Sequence, residues 1–313
     1  MLTRQVIFQY IILISILLKH WFYNLINLIK GGSPLKDLSS EIILITGAAN
    51  GLGRSIAQQL AHFGCTLILW DVDEVNNVRV AQELNQATKS KHIHAMKCDL
   101  SSRESIYECA KKVQDTVGNV TMVINNAGIV SGKSLIDCSD ASIQRTFDVN
   151  VLAHFWILKA FLPSMLDNNH GHIVTVSSIA GCYGVSKLVD YCSSKFAAVG
   201  LHEALTAELH SLNRDGIKTT LVCPTFINTD MFQGLTIKGK RAPVVEPEYI
   251  ADKIIKAIRT NQHTLLVPNN AIIRIVIDRI APMSAKLERN DVFGTSHMMD
   301  TFVGHQNKFS EKQ

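Results

Sequence analysis

The stretch "EIILITGAANGLGRSIAQQLAHFG" (residues 41–64) joins three local patterns in the order that decides the fold. "EIILIT" is an apolar, β-branched run of strand length, glycines crowd the turn at 46–53, and the remainder has helical spacing with a terminal glycine. Glycine allows a tight turn and a close approach to a ligand, and the amides at the start of a helix attract phosphate. An ordinary strand-to-helix turn is the alternative, but the position between a strand and a helix favours nucleotide binding.

Outward from this stretch, apolar runs alternate with helical stretches along the chain. The further strand patterns are "CTLILW", "HIHAMKC", "VTMVIN", "GHIVTVS", "IKTTLVC" and "HTLLVP". Such alternation is typical of a parallel sheet covered by helices on both faces, and right-handed crossovers then predict a doubly wound, Rossmann-like α/β domain. We assign this single domain to residues 41–270, with a C-terminal extension at 271–313 that faces substrate or membrane.

Composition limits the classes of function. The net charge is only +4 and no block of five basic residues occurs, so no nucleic-acid partner is expected. The seven cysteines form an odd number and include no CxxC pair, which indicates reduced core residues in a cytosol-facing domain and no metal site.

Residues 1–30 are predicted to be a hydrophobic membrane anchor, followed by a linker at 31–40. The 14-residue run "QVIFQYIILISILL" lies between Arg4 and Lys19 and would span about 21 Å as a helix, less than the roughly 30 Å of a bilayer core. Residues 5–29 together are long enough to cross with Lys19 near the middle, so a tilted span and an interfacial or hairpin anchor both fit. A cleaved signal peptide is disfavoured because no small-residue cleavage site follows. Basic residues after the segment outnumber those before it, which favours a cytosolic body.

Ligands of doubly wound folds bind at the carboxyl ends of the strands, where this sequence places polar and small residues. Asp71 ends the second strand, 24 residues after Gly47. A carboxylate there accepts hydrogen bonds from both adenosine ribose hydroxyls and repels a 2′-phosphate, so NAD is expected in preference to NADP. A surface aspartate is the alternative, and Arg54 and Arg79 could weaken the discrimination. Asp99 and the "NNAG" stretch (125–128) follow the next two strands.

Tyr191 and Lys195 stand four positions apart in "VDYCSSKFAAVG" (residues 189–200). On a helix they share one face, and an ammonium near a phenol favours the phenolate, which would lower the pKa of Tyr191 from its usual value near 10. The alternative is a half-buried tyrosine beside a solvated lysine.

The stretches "TGAANGLG", "NNAG", "SS" (177–178) and "YCSSK", in this order, resemble the short-chain dehydrogenase/reductase family over roughly residues 40–270. The wider strings and the N-terminal anchor are similar to its membrane-associated branch. The resemblance implies that Tyr191 is the general acid/base and that Lys195 lowers its pKa and holds the nicotinamide ribose. It also implies that Ser178, 13 residues before Tyr191, hydrogen-bonds the reacting oxygen of the substrate; Ser177 is the alternative. Asn150, in "FDVN", is implied to kink a helix and to position a relay water.

The resemblance also implies a set of cofactor-binding residues. In "PTFINT" (224–229), Ile227 through its backbone and Thr229 through its hydroxyl are implied to orient the carboxamide. Relatives often have Pro-Gly where this chain has Pro224-Thr225. The full set is Thr46, Gly47, Asn50, Gly51, Leu52, Gly53, Asp71, Asp99, Leu100, Asn126, Ala127, Gly128, Tyr191, Lys195, Pro224, Ile227 and Thr229.

The sequence thus predicts an anchored, NAD-preferring dehydrogenase that transfers a hydride between a lipophilic alcohol, of retinol or hydroxysteroid type, and nicotinamide. A carbonyl reductase working in the reverse direction and a weakly active scaffold on lipid droplets are the alternatives. The resemblance further implies a homodimer on the endoplasmic reticulum membrane or the lipid-droplet surface, with its catalytic domain facing the cytosol.

Overall fold

The computed structural model describes residues 4–29 and 34–304 and divides the chain into two units after Lys36. The first unit contains one helix, α1 (Arg4–Ile29), of 26 residues. Its described side chains between Phe8 and Lys19 are exposed and mostly apolar. This apolar run is shorter than a bilayer span, whereas the apolar stretch Asp140–Asn168 is long enough but half buried inside the second unit. The N-terminal apolar helix that the sequence predicts is therefore present.

The second unit confirms the predicted doubly wound α/β fold. Its main sheet has seven parallel strands in the order β3-β2-β1-β4-β5-β6-β9, and β7 and β8 form a separate antiparallel pair. The strands are β1 (Ile42–Thr46), β2 (Thr66–Asp71), β3 (Ile93–Lys97), β4 (Met122–Asn125), β5 (Gly171–Val176), β6 (Ile217–Pro224), β7 (Thr236–Ile237), β8 (Lys240–Arg241) and β9 (Thr264–Val267).

Helices cover both faces of this sheet. Side chains of consecutive strand residues point to opposite faces, so Ile43 and Ile45 of β1 join one core cluster while Leu44 joins the other. The helices are α2 (Gly51–Leu60), α3 (Glu74–Thr88), α4 (Arg103–Thr116), α5 (Asp140–Phe147), α6 (Ala153–Asn168), α7 (Val189–Ser211), α8 (Pro247–Arg259), α9 (Ala271–Ile280) and α10 (Met283–Phe293). The first cluster packs under α2, α3 and α8, and the second under α4, α6 and α7.

The packed domain begins before the predicted boundary at residue 41. Leu38, inside the predicted linker, is fully buried in the first core cluster. A leucine gains free energy when it leaves water, so the chain is already fixed at this residue. Residue 30, the last of the predicted anchor, and residues 31–33 of the linker lie outside the described residues.

The strand order places the candidate site. The chain runs from β1 outward to β3, then returns to β4 on the other side of β1. The loops after β1 and β4 therefore diverge, and a crevice opens between them at the carboxyl ends of the strands, which is where doubly wound folds bind ligands.

Candidate active site

The turn between β1 and α2 has a shape that only glycine permits. Gly47 and Gly51 have φ angles of +68° and +53°, and a Cβ on Gly53 would lie 2.1 Å from the carbonyl oxygen of Gly47. Asn50 precedes α2 without capping it through its side chain. The backbone thus forms a narrow cradle at the beginning of a helix, which fits the pyrophosphate of a dinucleotide.

The loops after β1 and β4 are tied together by side chains. The hydroxyl oxygen of Thr46 accepts hydrogen bonds from the backbone amides of Asn126 (3.0 Å) and Ala127 (3.1 Å). The side-chain amide nitrogen of Asn126 donates to the backbone carbonyl oxygen of Thr46 at 2.9 Å. Thr46 and Asn126, which we predicted to contact the cofactor, therefore hold the walls of the crevice in place.

Asn125 is a residue that the sequence reasoning missed. Its side chain is fully buried at the end of β4, and neither its oxygen nor its nitrogen has a hydrogen-bond partner within the part of the chain that the structure describes. A buried amide without a partner is costly, so this group requires an explanation. The "NNAG" stretch, of which Asn125 is the first residue, is the sequence signal that could have found it.

Asp71 ends β2 beside the glycine turn. Its two carboxylate oxygens accept hydrogen bonds from the backbone amides of Ala49 and Asp73, each at 2.9 Å, and burial raises its pKa. Each oxygen keeps lone-pair capacity for another donor. Arg54 and Arg79, the arginines that could weaken the preference for NAD over NADP, both form ion pairs with Glu83. The distances from Glu83 are 3.1 Å to Arg54 and 3.9 Å to Arg79.

Asp99 and Leu100 form the turn after β3. One carboxylate oxygen of Asp99 accepts from both the backbone amide and the hydroxyl of Ser101, at 2.9 and 2.7 Å. The Leu100 side chain is buried in the second core cluster. Both residues, which were predicted to bind the cofactor, are thus fixed by local contacts.

Tyr191 and Lys195 lie in the first two turns of α7, as predicted, and both are almost completely buried. The Lys195 ammonium lies 5.7 Å from the centre of the Tyr191 ring and donates to the carbonyl oxygen of Val176 at 3.1 Å. Burial raises the pKa of Tyr191, partly offset by a hydrogen bond with Ser178, and burial lowers the pKa of Lys195 to about 8. The direction for Tyr191 is opposite to the sequence expectation because desolvation of the phenolate outweighs the lowering effect of the Ser178 hydroxyl.

The structure distinguishes the two serines of the "SS" pair. The Ser178 hydroxyl lowers the pKa of the Tyr191 phenol against the effect of burial, accepts a hydrogen bond from the amide of Ala180 at 3.1 Å and lies 3.4 Å from the carbonyl oxygen of Pro224. Ser177 donates to the carbonyl oxygen of Lys195 at 3.0 Å. Ser178 therefore lies beside the phenol, while Ser177 anchors the helix.

Asn150 lies in a π-helical turn, Asp148–Leu152, between α5 and α6. Its side-chain oxygen accepts from the amide of Ile129 at 2.8 Å, and its nitrogen donates to Ile129 (3.0 Å) and to the hydroxyl of Ser194 (3.0 Å). A Cβ on Gly128 would lie 3.3 Å from the Lys195 ammonium and 3.4 Å from this Asn150 oxygen. Because Gly128 has no side chain, the Lys195 ammonium and the Asn150 side-chain oxygen can both approach its Cα atom. Ser194, which holds the Asn150 nitrogen, is a residue that the sequence did not indicate.

The segment after β6 closes the other side of the site. The backbone amide of Thr225, where relatives often have glycine, donates to β9 at 2.8 Å, so the turn is held by the sheet. Ile227 forms a parallel bridge with Val245. The Thr229 methyl group would lie 3.2 Å from a Cβ on Gly51, which places the predicted carboxamide segment against the glycine turn.

Together these contacts bring Ser178, Tyr191, Lys195 and Asn150 to one edge of the sheet, near the glycine cradle. The arrangement provides a phenol that can exchange a proton, a hydroxyl beside it, and an ammonium and an amide behind it. Such a set can remove or supply the proton of a hydroxyl group.

The chain matches known proteins over most of its length. The family model described as "short chain dehydrogenase" matches residues 41–239. The chain is 45% identical to epidermal retinol dehydrogenase 2 of Mus musculus over 276 residues, covering 88% of this chain and 89% of that protein. It is 44% identical to estradiol 17-beta-dehydrogenase 11 of Mus musculus over 247 residues, covering 79% and 82%.

Two solved structures show the same architecture. A short-chain dehydrogenase/reductase from Burkholderia phymatum in complex with NAD has a TM-score of 0.71 and 26% identity, covering 82% of this chain and 98% of that chain. An alcohol dehydrogenase from Thermococcus sibiricus complexed with 5-hydroxy-NADP has a TM-score of 0.62 and 25% identity, covering 72% and 94%.

Proposed function

The chain belongs to the short-chain dehydrogenase/reductase family and is an alcohol oxidoreductase that uses a nicotinamide cofactor, and from this premise we propose that it oxidises lipophilic alcohols with NAD. The observation that carries the proposal is the buried Tyr191, with the Ser178 hydroxyl lowering the pKa of its phenol and the Lys195 ammonium 5.7 Å from its ring centre, at the edge of the sheet that holds the glycine cradle. The two relatives named above, a retinol dehydrogenase and an estradiol dehydrogenase, support an apolar substrate.

In this mechanism the substrate hydroxyl meets Tyr191 and Ser178. Ser178 hydrogen-bonds the substrate oxygen and fixes its orientation, while Tyr191, ionised after its own proton has left toward solvent, takes the hydroxyl proton as the carbonyl forms. When bound, the oxidised nicotinamide supplies the hydride acceptor. Oxidation therefore yields a carbonyl compound, the reduced cofactor and one proton, and the reverse reaction runs through the same atoms.

Lys195 and Asn150 act behind the phenol. The Lys195 ammonium, held by the carbonyl oxygen of Val176, stabilises negative charge on Tyr191 when the proton leaves. Its lowered pKa of about 8 lets it gain or lose a proton near neutral pH. Asn150 holds the loop of Ile129 and thereby the space beside Gly128, and in this proposal it positions a water that carries the proton outward.

The preference for NAD rests on Asp71. Its carboxylate lies at the end of β2, where an adenosine ribose would bind, and hydrogen bonds from two backbone amides keep it oriented. A 2′-phosphate placed there would meet its negative charge, whereas the ribose hydroxyls of NAD would donate to it. Asn125, Gly128, Pro224, Ile227 and Thr229 lie along the same edge and are assigned to the nicotinamide end of the cofactor.

We assign the helix α1 to membrane attachment. Its exposed apolar side chains would be stabilised by hydrocarbon, at the endoplasmic reticulum membrane or the surface of a lipid droplet. The catalytic body would face the cytosol, in keeping with its free cysteines and the basic residues after the anchor. A homodimer is part of this proposal, through the family resemblance alone.

The test uses the purified full-length chain with retinol and a hydroxysteroid, each with NAD and with NADP. We expect NADH formation, and a Tyr191→Phe variant should bind NADH normally but lose roughly 10²–10⁴-fold in the rate of the chemical step. The same assay run from the carbonyl side measures the reverse reaction. Near-normal oxidation by Tyr191→Phe would contradict the mechanism, and a wild-type chain that binds NADH but converts no lipophilic alcohol or ketone would support the scaffold alternative.

A further inference from the structure

Tyr191 shares an apolar cluster with a segment from the far end of the chain. We call Met298–Gly304 the C-terminal strap. Met298 and Met299 are buried in the same apolar cluster as Tyr191, and Phe302 packs against that cluster. Only 4% of Tyr191 is exposed, and the strap is one of the segments whose side chains make up the cluster in which it is buried.

The strap is attached to the segment that follows Thr229. The backbone amide of Val303 donates to the carbonyl oxygen of Gln233 at 3.0 Å, and the Thr301 hydroxyl donates to the carbonyl oxygen of Gly234 at 2.6 Å. The amide of Thr236 donates in return to the carbonyl oxygen of Met298 at 3.3 Å. Loop-to-loop bonds of this kind form no ladder, so they can break without disturbing the sheet.

The strap also reaches the two loops on the other side of the site. The Asp300 carboxylate lies 2.6 Å from the Lys187 ammonium, four residues before Tyr191, and both side chains are more than a third exposed. The Phe302 ring lies against Gly132, where a Cβ would come within 2.1 Å of a ring carbon. An exposed ion pair and a ring on a glycine hold the strap closed only weakly.

The chemistry of the strap points to what it meets. The groups that it contributes to the cluster are thioethers and an aromatic ring, while the charge of Asp300 lies at the solvent side. Methionine side chains are flexible and polarizable, so they adapt to apolar surfaces of different shapes. A substrate oxygen must come within hydrogen-bond distance of the Tyr191 hydroxyl. The rest of the substrate then needs space in the apolar cluster around Tyr191, to which the strap contributes Met298, Met299 and Phe302.

We propose that the C-terminal strap is a movable wall of the substrate pocket, and that Met299 and Phe302 set the bulk of the alcohol that reaches Tyr191. This inference rests on the proposed function, in which Tyr191 exchanges the substrate proton. It specifies the substrate as an alcohol whose carbinol carbon is flanked by an apolar body, large enough to replace part of the strap's own packing.

The first test compares Phe302→Ala and Met299→Ala with the wild-type enzyme on a bulky secondary alcohol, a 17-hydroxysteroid, and on cyclohexanol. The ratio of kcat/KM for the steroid to that for cyclohexanol should rise at least about 5-fold in both variants, because a smaller wall admits a larger body. The control Phe293→Ala removes a phenylalanine that is 61% exposed in α10 and should leave the ratio unchanged. The NADH dissociation constant should be unchanged in all three variants.

The second test does not depend on turnover. Cys192 lies in the covered cluster, and Cys65 is equally buried in a remote core cluster. In an Asp300→Asn variant, which loses the ion pair with Lys187, alkylation of Cys192 by iodoacetamide should accelerate by about 2- to 5-fold, while that of Cys65 should not change. Mass spectrometry of the peptides measures both rates in one sample.

The outcomes separate the strap from the mechanism. If the ratio of kcat/KM and the alkylation of Cys192 stay at wild-type values while Tyr191→Phe is inactive, the strap proposal is overturned and the mechanism stands. If Tyr191→Phe remains active but the strap variants change the ratio of kcat/KM and the alkylation rate of Cys192, the proposed mechanism is refuted and the strap proposal stands. Should no alcohol be converted at all, unchanged alkylation of Cys192 alone overturns the strap as a movable cover.

Discussion

Replacing Gly53 by alanine should disable the cofactor cradle. The new Cβ would lie 2.1 Å from the carbonyl oxygen of Gly47, whereas ordinary contacts begin at 3.4 Å. The two atoms must therefore separate by about 1 Å, a displacement that can cost about 10²-fold where geometry is critical. Gly47 cannot easily move away, because it is already packed against Ala127: a Cβ atom added to Gly47 would lie only 3.0 Å from the Cα atom of Ala127.

We expect the NADH dissociation constant of Gly53→Ala to rise about 100-fold, which corresponds to about 2.7 kcal/mol. Fluorescence titration of NADH measures it, with near-UV circular dichroism to show that the fold persists. The matched control is Gly200→Ala in α7, where no heavy atom lies within 4 Å of the new Cβ. That variant should bind NADH normally and gain about 1 kcal/mol in helix stability. Wild-type NADH affinity in Gly53→Ala would refute the assignment of this turn as the cradle.

Three further predictions concern the cofactor, the lysine and the anchor. Asp71→Ser should lower the ratio of kcat/KM with NAD to that with NADP, since it removes both the ribose acceptor and the charge that repels a 2′-phosphate; a wild-type enzyme that already favours NADP would contradict this role. The free energy of unfolding of the wild type, measured relative to Lys195→Met in urea titrations, should rise by about 3 kcal/mol between pH 8 and 10.5. In that window the unfolded lysine still binds a proton, whereas the folded lysine, with its pKa lowered to about 8, does not. A difference that does not vary with pH would show that burial does not lower the pKa of Lys195. Deleting residues 1–30 should release the protein from membranes with NADH affinity unchanged, as flotation assays would show; a truncated chain that still floats would place the anchor elsewhere.

The sequence predicted most of the fold because its signals are local. Each predicted strand run, including "HTLLVP", contains a strand of the sheet, since continuous apolar runs between helical stretches leave few alternatives. The glycine turn was equally readable, because a Gly53 side chain would collide with residues only six positions away. The position of Asn150 at a helix irregularity followed from the family resemblance.

What could not be predicted depends on tertiary contacts. The pKa of Tyr191 moves upward because this residue is buried in an apolar cluster built from distant parts of the chain, and its spacing from Lys195 carries no information about that burial. The bracing role of Thr46 joins residues 80 positions apart. The ion pair between Lys187 and Asp300 spans more than a hundred residues, and two exposed charges have no sequence signal that pairs them.

The number of residues in the π-helical turn Asp148–Leu152 determines the direction in which the Asn150 side chain points. Each residue of an α-helix advances the side-chain direction by about 100°, so one residue more or fewer in this turn changes which way Asn150 faces relative to α6. Loops elsewhere on the surface can absorb an insertion or a deletion without such a change. Here the removal of a single residue, even an apolar one such as Val149 or Val151, would turn the amide away from Ile129 and Ser194 without altering any polar group of the site.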